Sequence, residues 1–299
     1  GFSSSSAPHA AEIHNNTLAG SVGSSGTSYL IFTSVTGNGA RFSTQNNVTS
    51  GTINKAGVSG ELYAYYFQGN TNQTEVVKNN NFSNINVPGY CYGIYSTSTQ
   101  NDTTFIDSNI VSNITSSSAT SGKVTGIYNS KASRCFIRDN TVSGLSGYSV
   151  DGIFLGNSNN ALYVDILRNK LYSLNSTHAG TNNLSLSGIN INAYGQPGYV
   201  KIYNNLIGLL TAPASNSPNA IAGIELYSSN ETDHFTNDVA NNTVYLNASS
   251  SATNFGTSGI YQYSSAASSI FDHSIVRNNI VVNLSTPKGS GISAAIRRS

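Results

Sequence analysis

The apolar and polar positions of this chain follow one short figure that returns nine times. Its clearest copy is Val239-Ala240-Asn241-Asn242-Thr243-Val244-Tyr245-Leu246. An aliphatic residue stands three positions before an asparagine, and a second aliphatic stands two positions after it. Asn16, Asn47, Asn80, Asn109, Asn140, Asn169, Asn205 and Asn279 are the equivalents of Asn242. The preceding aliphatic position holds Ile13, Thr44, Val77, Ile106, Ile137, Ile166, Ile202, Val239 and Val276. The following one holds Leu18, Thr49, Phe82, Val111, Val142, Leu171, Ile207, Val244 and Val281. Steps between the asparagines are 31, 33, 29, 31, 29, 36, 37 and 37 residues. Self-similarity at this period marks a repeat architecture, in which each unit buries its apolar face only against its neighbours.

A second figure runs in phase with the first, a glycine followed by isoleucine. It appears at Gly93-Ile94, Gly126-Ile127, Gly152-Ile153, Gly188-Ile189, Gly223-Ile224, Gly259-Ile260 and Gly291-Ile292. Gly60-Glu61-Leu62 and Gly39-Ala40 read as degenerate earlier copies. Segments such as Phe136-Ile137-Arg138 and Thr141-Val142-Ser143 are β-branched or aromatic and bounded by Asn, Gly and Ser, which predicts strands of a few residues. No window sustains the i, i+3, i+4, i+7 apolar stripe of a helix. Leucine is too sparse for leucine-rich repeats. Insertions of varying size between fixed short strands belong in loops on the outside of a solenoid.

An inward asparagine in the same turn of every coil can hydrogen-bond the coils above and below it, as in stacked amide ladders. The expected fold is therefore all-β, a right-handed parallel β-helix of about nine coils of roughly 30–37 residues, with residues 1–299 forming one domain. Its predicted ladder comprises Asn80, Asn109, Asn140, Asn169, Asn205, Asn242 and Asn279. The Asn-x-aliphatic turn and the Gly-Ile strand resemble the pectate-lyase-like β-helix repeats of large secreted or surface bacterial proteins, over nearly the whole chain. That scaffold carries lyases, hydrolases, adhesins and inert stalks alike, so the resemblance implies fold more sharply than function.

Composition narrows the class. Charged residues make up 9% of the chain, against about 25% in an ordinary soluble domain, so solubility must come from Ser, Thr and Asn. A net charge of +1 offers no electrostatic reason to expect nucleic acid or an anionic membrane surface. No apolar run reaches the ~18 residues of a membrane span. Met and Trp are absent, and the chain reads as a segment of a longer solenoid. The Ser/Thr/Asn bias suits an extracellular or cell-surface setting. Cys91 and Cys135 fall on different faces of successive coils, too far apart for a disulfide, and read as small buried hydrophobes. The many Asn-x-Ser/Thr triplets, Asn47 and Asn241 among them, follow from composition and coincide in part with the ladder turn, so they are not read as glycan acceptors.

Candidate chemistry is thin. Two residues after the repeat glycine, the outward position holds Tyr95, Tyr128, Phe154, Asn190, Glu225, Tyr261 and Ser293. The aromatic members, Tyr95, Tyr128, Phe154 and Tyr261, are glycan-contact candidates through their ring faces; a same-face ladder that stabilises the sheet is the competing reading. Two residues before the ladder asparagine, Lys78, Asp107 and Arg138 alternate in sign, and Asp139 precedes Arg168 by one coil, which reads as a surface ion-pair ladder. A hydrolase needs converging carboxylates and a calcium-dependent lyase a similar nest of oxygens. The acids here are scattered: Asp151 lies between Thr125 and Ser187, Glu225 between Asn190 and Tyr261, and Lys201 separates Asp165 from Asp238. His9, His14, His178, His234 and His273 show no metal-ligand spacing, while Asp233-His234 and Asp272-His273 are isolated pairs. No catalytic set, cofactor or metal site is expected. The favoured expectation is a structural or adhesive segment of a secreted or cell-surface bacterial β-helix protein. Its partners would be polysaccharide, further coils of the parent protein or a second copy. The alternatives are a polysaccharide lyase or glycoside hydrolase, and a non-catalytic glycan-binding module.

Overall fold

The computed structural model describes residues 10–34, 39–57, 60–69, 72–97, 102–130, 133–156, 162–181, 184–192, 198–228, 235–264 and 273–299. Three parallel sheets wrap around one interior as a β-solenoid of about seven turns with full-length strands, preceded by shorter ones. Sheet I holds nine strands from Ala10–His14 to His273–Arg277, each ending just before a ladder asparagine. Sheet II follows the asparagine, from Thr17–Leu18 to Ile280–Asn283. Sheet III carries the Gly-Ile segments, from Ser28–Ser34 to Ser293–Arg298.

The corner between sheets I and II explains the asparagines. Each ladder Nδ2 donates to the Oδ1 of the asparagine one coil on, at 2.8–3.0 Å from Asn16 through to Asn279. The same Oδ1 also accepts the backbone N–H of the preceding rung, as Asn140 N does to Asn169 Oδ1 at 2.9 Å. A second amide proton reaches back to the sheet I aliphatic of the coil before, Asn140 Nδ2 to Ile106 O at 2.8 Å. Asn80, Asn109, Asn140, Asn169, Asn205 and Asn242 are buried, and their amide groups are bonded to the adjacent coils. An unpaired amide there would cost about 1–3 kcal/mol. The residue just before each rung takes a left-handed backbone, with φ of 54–58° from Asn15 to Asn278. Asparagine tolerates that conformation best among non-glycine residues, which is why the motif so often reads Asn-Asn. Ser108, Asp139 and Arg168 hold the same position at φ 55–57°.

Inside, three aliphatic columns meet. Val77, Ile106, Ile137, Ile166, Ile202 and Val239 are paired strand to strand in sheet I and fully buried. Phe82, Val111, Val142, Leu171, Ile207 and Val244 do the same in sheet II. In sheet III, Ile94, Ile127, Ile153, Ile189, Ile224 and Ile260 stack in register. The glycine before each of these is demanded by close approach. A Cβ on Gly188 would lie 2.5 Å from Gly223 O and 2.7 Å from Ile207 Cγ2, and Gly93, Gly126, Gly152, Gly223 and Gly259 meet equivalent walls.

The glycine phase departs from expectation at both ends. Ile31 pairs with Tyr65 and Tyr65 with Ile94, so Leu30 and Ala64 occupy the glycine column, while Gly60 lies in the turn before it and Gly39 precedes a sheet I strand. At the other end Ile260 pairs with Ile296, so Ala295 takes the column and Gly291-Ile292 lies ahead of the strand. Ser293 therefore faces Thr257, and Arg297 continues the outward column. Ile296 holds an inward position yet is 57% exposed, because no further coil covers it. Cys91 and Cys135 sit in sheets III and I, buried and unpaired. Asn47 is a buried ladder rung, whereas Asp233, His234 and Asp272 lie outside the described residues.

Two substitutions test this packing. Ile189→Ala should lower unfolding free energy by about 2–5 kcal/mol through the cavity it leaves. Gly188→Ala should cost about 1–3 kcal/mol by overpacking against the neighbouring carbonyl. Urea titrations of both variants check this; an unchanged midpoint for Ile189→Ala would contradict its inward placement.

Candidate functional site

The outer face of sheet III carries the side chains with most chemical potential. The glycine breaks the two-residue alternation of each strand, since it drops out of the pairing register. As a result the residues just before and two after the glycine both face outward. Sequence reading found the second of these columns and missed the first, whose signal was the glycine itself.

The outward column predicted to hold Tyr95, Tyr128, Phe154 and Tyr261 extends further toward the N-terminus than expected, as Phe32, Tyr66, Tyr95, Tyr128 and Phe154. Beside it, Tyr29, Tyr63 and Tyr92 form a parallel column. The rings stack on one another along the solenoid axis. Tyr66 and Tyr95 lie 5.1 Å apart and 5° from parallel, Tyr95 and Tyr128 4.3 Å and 1°, Tyr128 and Phe154 5.2 Å and 6°. Tyr29, Tyr63 and Tyr92 stack at 5.3 and 4.9 Å. Between the columns the contacts are edge-to-face, Tyr92 against Tyr95 at 5.0 Å and 81°. Each inner ring of the strip thus has both faces covered by other rings, and only its edge reaches solvent. Such pairs contribute about 0.5–1.5 kcal/mol each beyond the area they bury.

Beyond Phe154 the face becomes polar. Asn190, Glu225, Tyr261 and Arg297 continue one column, and Thr125, Asp151, Ser187, Ala222 and Ser258 the other. Asp151 is fully engaged: Lys123 Nζ lies 2.7 Å from it, Ser187 Oγ donates to it, and Asn190 Nδ2 approaches at 3.5 Å. Lys123 in turn sits 4.5 Å above the Phe154 ring. Glu225 is 8% exposed and receives no hydrogen bond among the described residues; burial, then the nearby Asp151 charge, push its carboxyl up to about 8. It lines a groove of about 300 Å³ together with Asn190, Asn192, Tyr227, Tyr261 and Tyr263.

On sheet I, the sign alternation Lys78, Asp107, Arg138 is in register as predicted, but the ion pairs run diagonally. Arg138 binds Asp165 at 3.0 Å, and desolvation raises the Asp107 carboxyl. Arg168 grips Asp139 through Nε and Nη2, both at 2.8 Å. Lys201 stands between Asp165 and Asp238, as the spacing predicted, and hydrogen-bonds Tyr163. Arg277 binds Asp238 at 3.0 Å, and Tyr199 and Tyr203 also donate to that carboxylate. Asp139, Asp165 and Asp238 thus each engage an arginine, whereas Asp107 Oδ1 is buried without a partner among the described residues. Among the described residues no three His, Cys, Asp or Glu side chains gather as a metal site, and no helix is long and apolar enough to cross a membrane. His14 meets Ser43 at 3.1 Å, and His178 packs edge-on against Tyr148.

One buried acid escaped the sequence reading. Glu75 is 1% exposed inside the solenoid, where Tyr65, Ser96 and Thr104 donate to its carboxyl at 3.0, 2.5 and 3.0 Å. Desolvation outweighs those bonds and raises it to about 7. No repeat position marks it, since its register neighbours are Phe42 and Thr104. Compared with known proteins, the chain matches no family model, no curated protein and no solved structure.

The raised acids set a pH dependence. Glu75 and Glu225 hold protons in the folded chain that the unfolded chain releases near 4.5. Their protonated form is accommodated in full below that pH, and stability falls as pH rises through about 7 and 8. For Glu75 the shift from 4.5 to about 7 corresponds to on the order of 3 kcal/mol. The melting temperature should therefore drop between about pH 5 and about pH 8, and Glu75→Gln should flatten much of that drop. A wild-type melting temperature that rises over this interval would contradict the burial of both acids.

Proposed function

We propose that this chain is a structural segment of a secreted or cell-surface protein, a rigid β-solenoid rod of the pectate-lyase-like repeat style that works by extension and by stacking on further coils. The observation that carries this reading is the coverage of the aromatic strip. Rings that would dock sugars through their faces are instead stacked on one another from Phe32 to Phe154. The strip therefore serves cohesion between coils. Among the sheet I acids, Asp139, Asp165 and Asp238 are bound by arginine, tyrosine or both, which speaks against a hydrolytic or lyase centre built on them. Low charge with a Ser-, Thr- and Asn-rich surface fits an extracellular setting.

Stacking is supported by the pairing scheme, in which parallel strands join each coil to the next in all three sheets. Backbone groups of a parallel strand can pair with a further coil in the same way. Sedimentation velocity across a concentration series should show reversible association, weakened by Ile296→Lys. Incubation with uronate-containing and neutral polysaccharides, with and without calcium, should release no unsaturated or reducing ends. Release of such products, lost on Asp151→Asn or Glu225→Gln, would overturn the structural reading in favour of a carbohydrate-active enzyme. Binding without turnover that disappears in Tyr95→Ala and Tyr128→Ala would favour a glycan-binding module.

A further inference from the structure

The groove beside Glu225 differs from every other stretch of the sheet III face. Upstream, the outward columns are filled by rings that satisfy one another. Here the neighbouring column narrows to Ser187, Ala222 and Ser258, and the small side chains leave about 300 Å³ open above the sheet. That is the small end of ligand clefts, which run from ~300 to ~1,000 Å³.

Glu225 is more than nine-tenths buried and carries no hydrogen-bond partner among the described residues. The amide oxygens of Asn190 and Asn192 are both buried and unpaired. Buried polar groups in folded proteins are normally bonded, so a carboxyl without a partner on the wall of a cleft calls for a ligand or ordered solvent. That carboxyl is an acceptor once it ionises. Asn190 directs its NH₂ toward Asp151. Aromatic walls complete the site: Tyr227 and Tyr263 lie 5.6 Å apart, and Tyr261 and Tyr263 5.8 Å.

A ligand that fits must donate to a buried carboxylate, compensate its charge and tolerate tyrosine rings around it. A hydroxyl donates once and asks for a donor in return. An ammonium donates three times, accepts nothing, supplies the missing positive charge and is attracted to aromatic faces. We propose that this groove binds a primary ammonium group, held by Glu225 beside Tyr227, Tyr261 and Tyr263.

Binding would move one proton. Glu225 is neutral in the empty groove at neutral pH, so the arriving ammonium displaces its carboxyl proton to solvent and leaves a carboxylate–ammonium pair. The charges around it are Asp151, already neutralised by Lys123, and Arg297, which lies over the Tyr261 ring at 5.3 Å. The strands flanking Glu225, Leu186–Ile191 and Thr257–Ser264, add only the tyrosines Tyr261 and Tyr263 as titratable groups. The ammonium could belong to a lysine-like alkyl chain or to an amino sugar, and the probes separate these sources.

Calorimetric titration of the full chain would use n-butylammonium and glucosamine, each against its neutral counterpart, n-butanol and N-acetylglucosamine. At least one ammonium probe should bind, about tenfold or more tightly than its counterpart. Butylammonium alone would indicate a lysine-like ligand, glucosamine alone an amino sugar. For butylammonium, which keeps its charge throughout, affinity should rise roughly tenfold per unit between about pH 6 and about pH 8 and then level off. Glu225→Gln, with its fold confirmed by circular dichroism, should bring affinity to the neutral level and flatten the pH profile. Should that variant not fold, Tyr261→Leu should weaken the ammonium probe several-fold and leave its neutral counterpart unaffected. The proposal is overturned if neither ammonium probe binds, if the neutral partners bind equally well, or if the folded Glu225→Gln variant binds as the wild type does. None of these outcomes bears on whether the chain is a structural rod.

Discussion

Everything in this molecule depends on one amide hydrogen bond repeated along the axis. The Nδ2 of each ladder asparagine donates to the Oδ1 of the next, and that oxygen also accepts a backbone N–H from the preceding coil. A turn between two buried strands strands polar backbone groups away from water, and such groups must find partners. The asparagine side chain supplies them from within the turn. It ties three successive coils at one point, since it also reaches the aliphatic carbonyl of the coil before. With the corner fixed, the aliphatic residues three before and two after it can only point inward. Those anchors set the register for the other sheets.

The consequences run outward. Fixed register places glycine in a column where the sheet II side chains press against sheet III. Glycine there breaks the strand alternation and turns two columns instead of one to the surface. On the N-terminal part of that face the two columns fill with aromatic rings that stack into a closed ladder. On the C-terminal part they fill with Asn190, Glu225 and small residues, and the groove results. One backbone constraint thus yields a cohesive strip in one place and an open cleft in another, according to which side chains the outward positions hold.

Much of the fold was legible because its signals are local and repeated. Asn140 with Ile137 and Val142 says the same thing as Asn242 with Val239 and Val244, and nine copies outweigh any irregular one. The glycine phase was legible only where it is regular. Gly60, Gly39 and Gly291 imitate it elsewhere, where Leu30, Ala64 and Ala295 hold the position. The second aromatic column was hidden by assuming strict alternation through Gly93. Glu75 was invisible, since its burial depends on Tyr65, Ser96 and Thr104 from three different strands. Side-chain stacking direction is likewise a property of three dimensions: the sequence aligned Tyr95, Tyr128 and Phe154 but could not say that their faces would be spent on one another.

The claim that the asparagine ladder sets the register of the whole solenoid is tested most directly by amide hydrogen exchange resolved by residue. The backbone N–H groups of Asn109, Asn140, Asn169 and Asn205 lie in a turn but donate to buried side-chain oxygens at 2.9 Å or 3.0 Å for Asn205. They should exchange as slowly as the central strand amides of Ile137 and Ile166, with opening free energies close to that of global unfolding. Exchange at these four amides as fast as at the exposed loop residues would show that the corner is not closed by the ladder and would contradict the account.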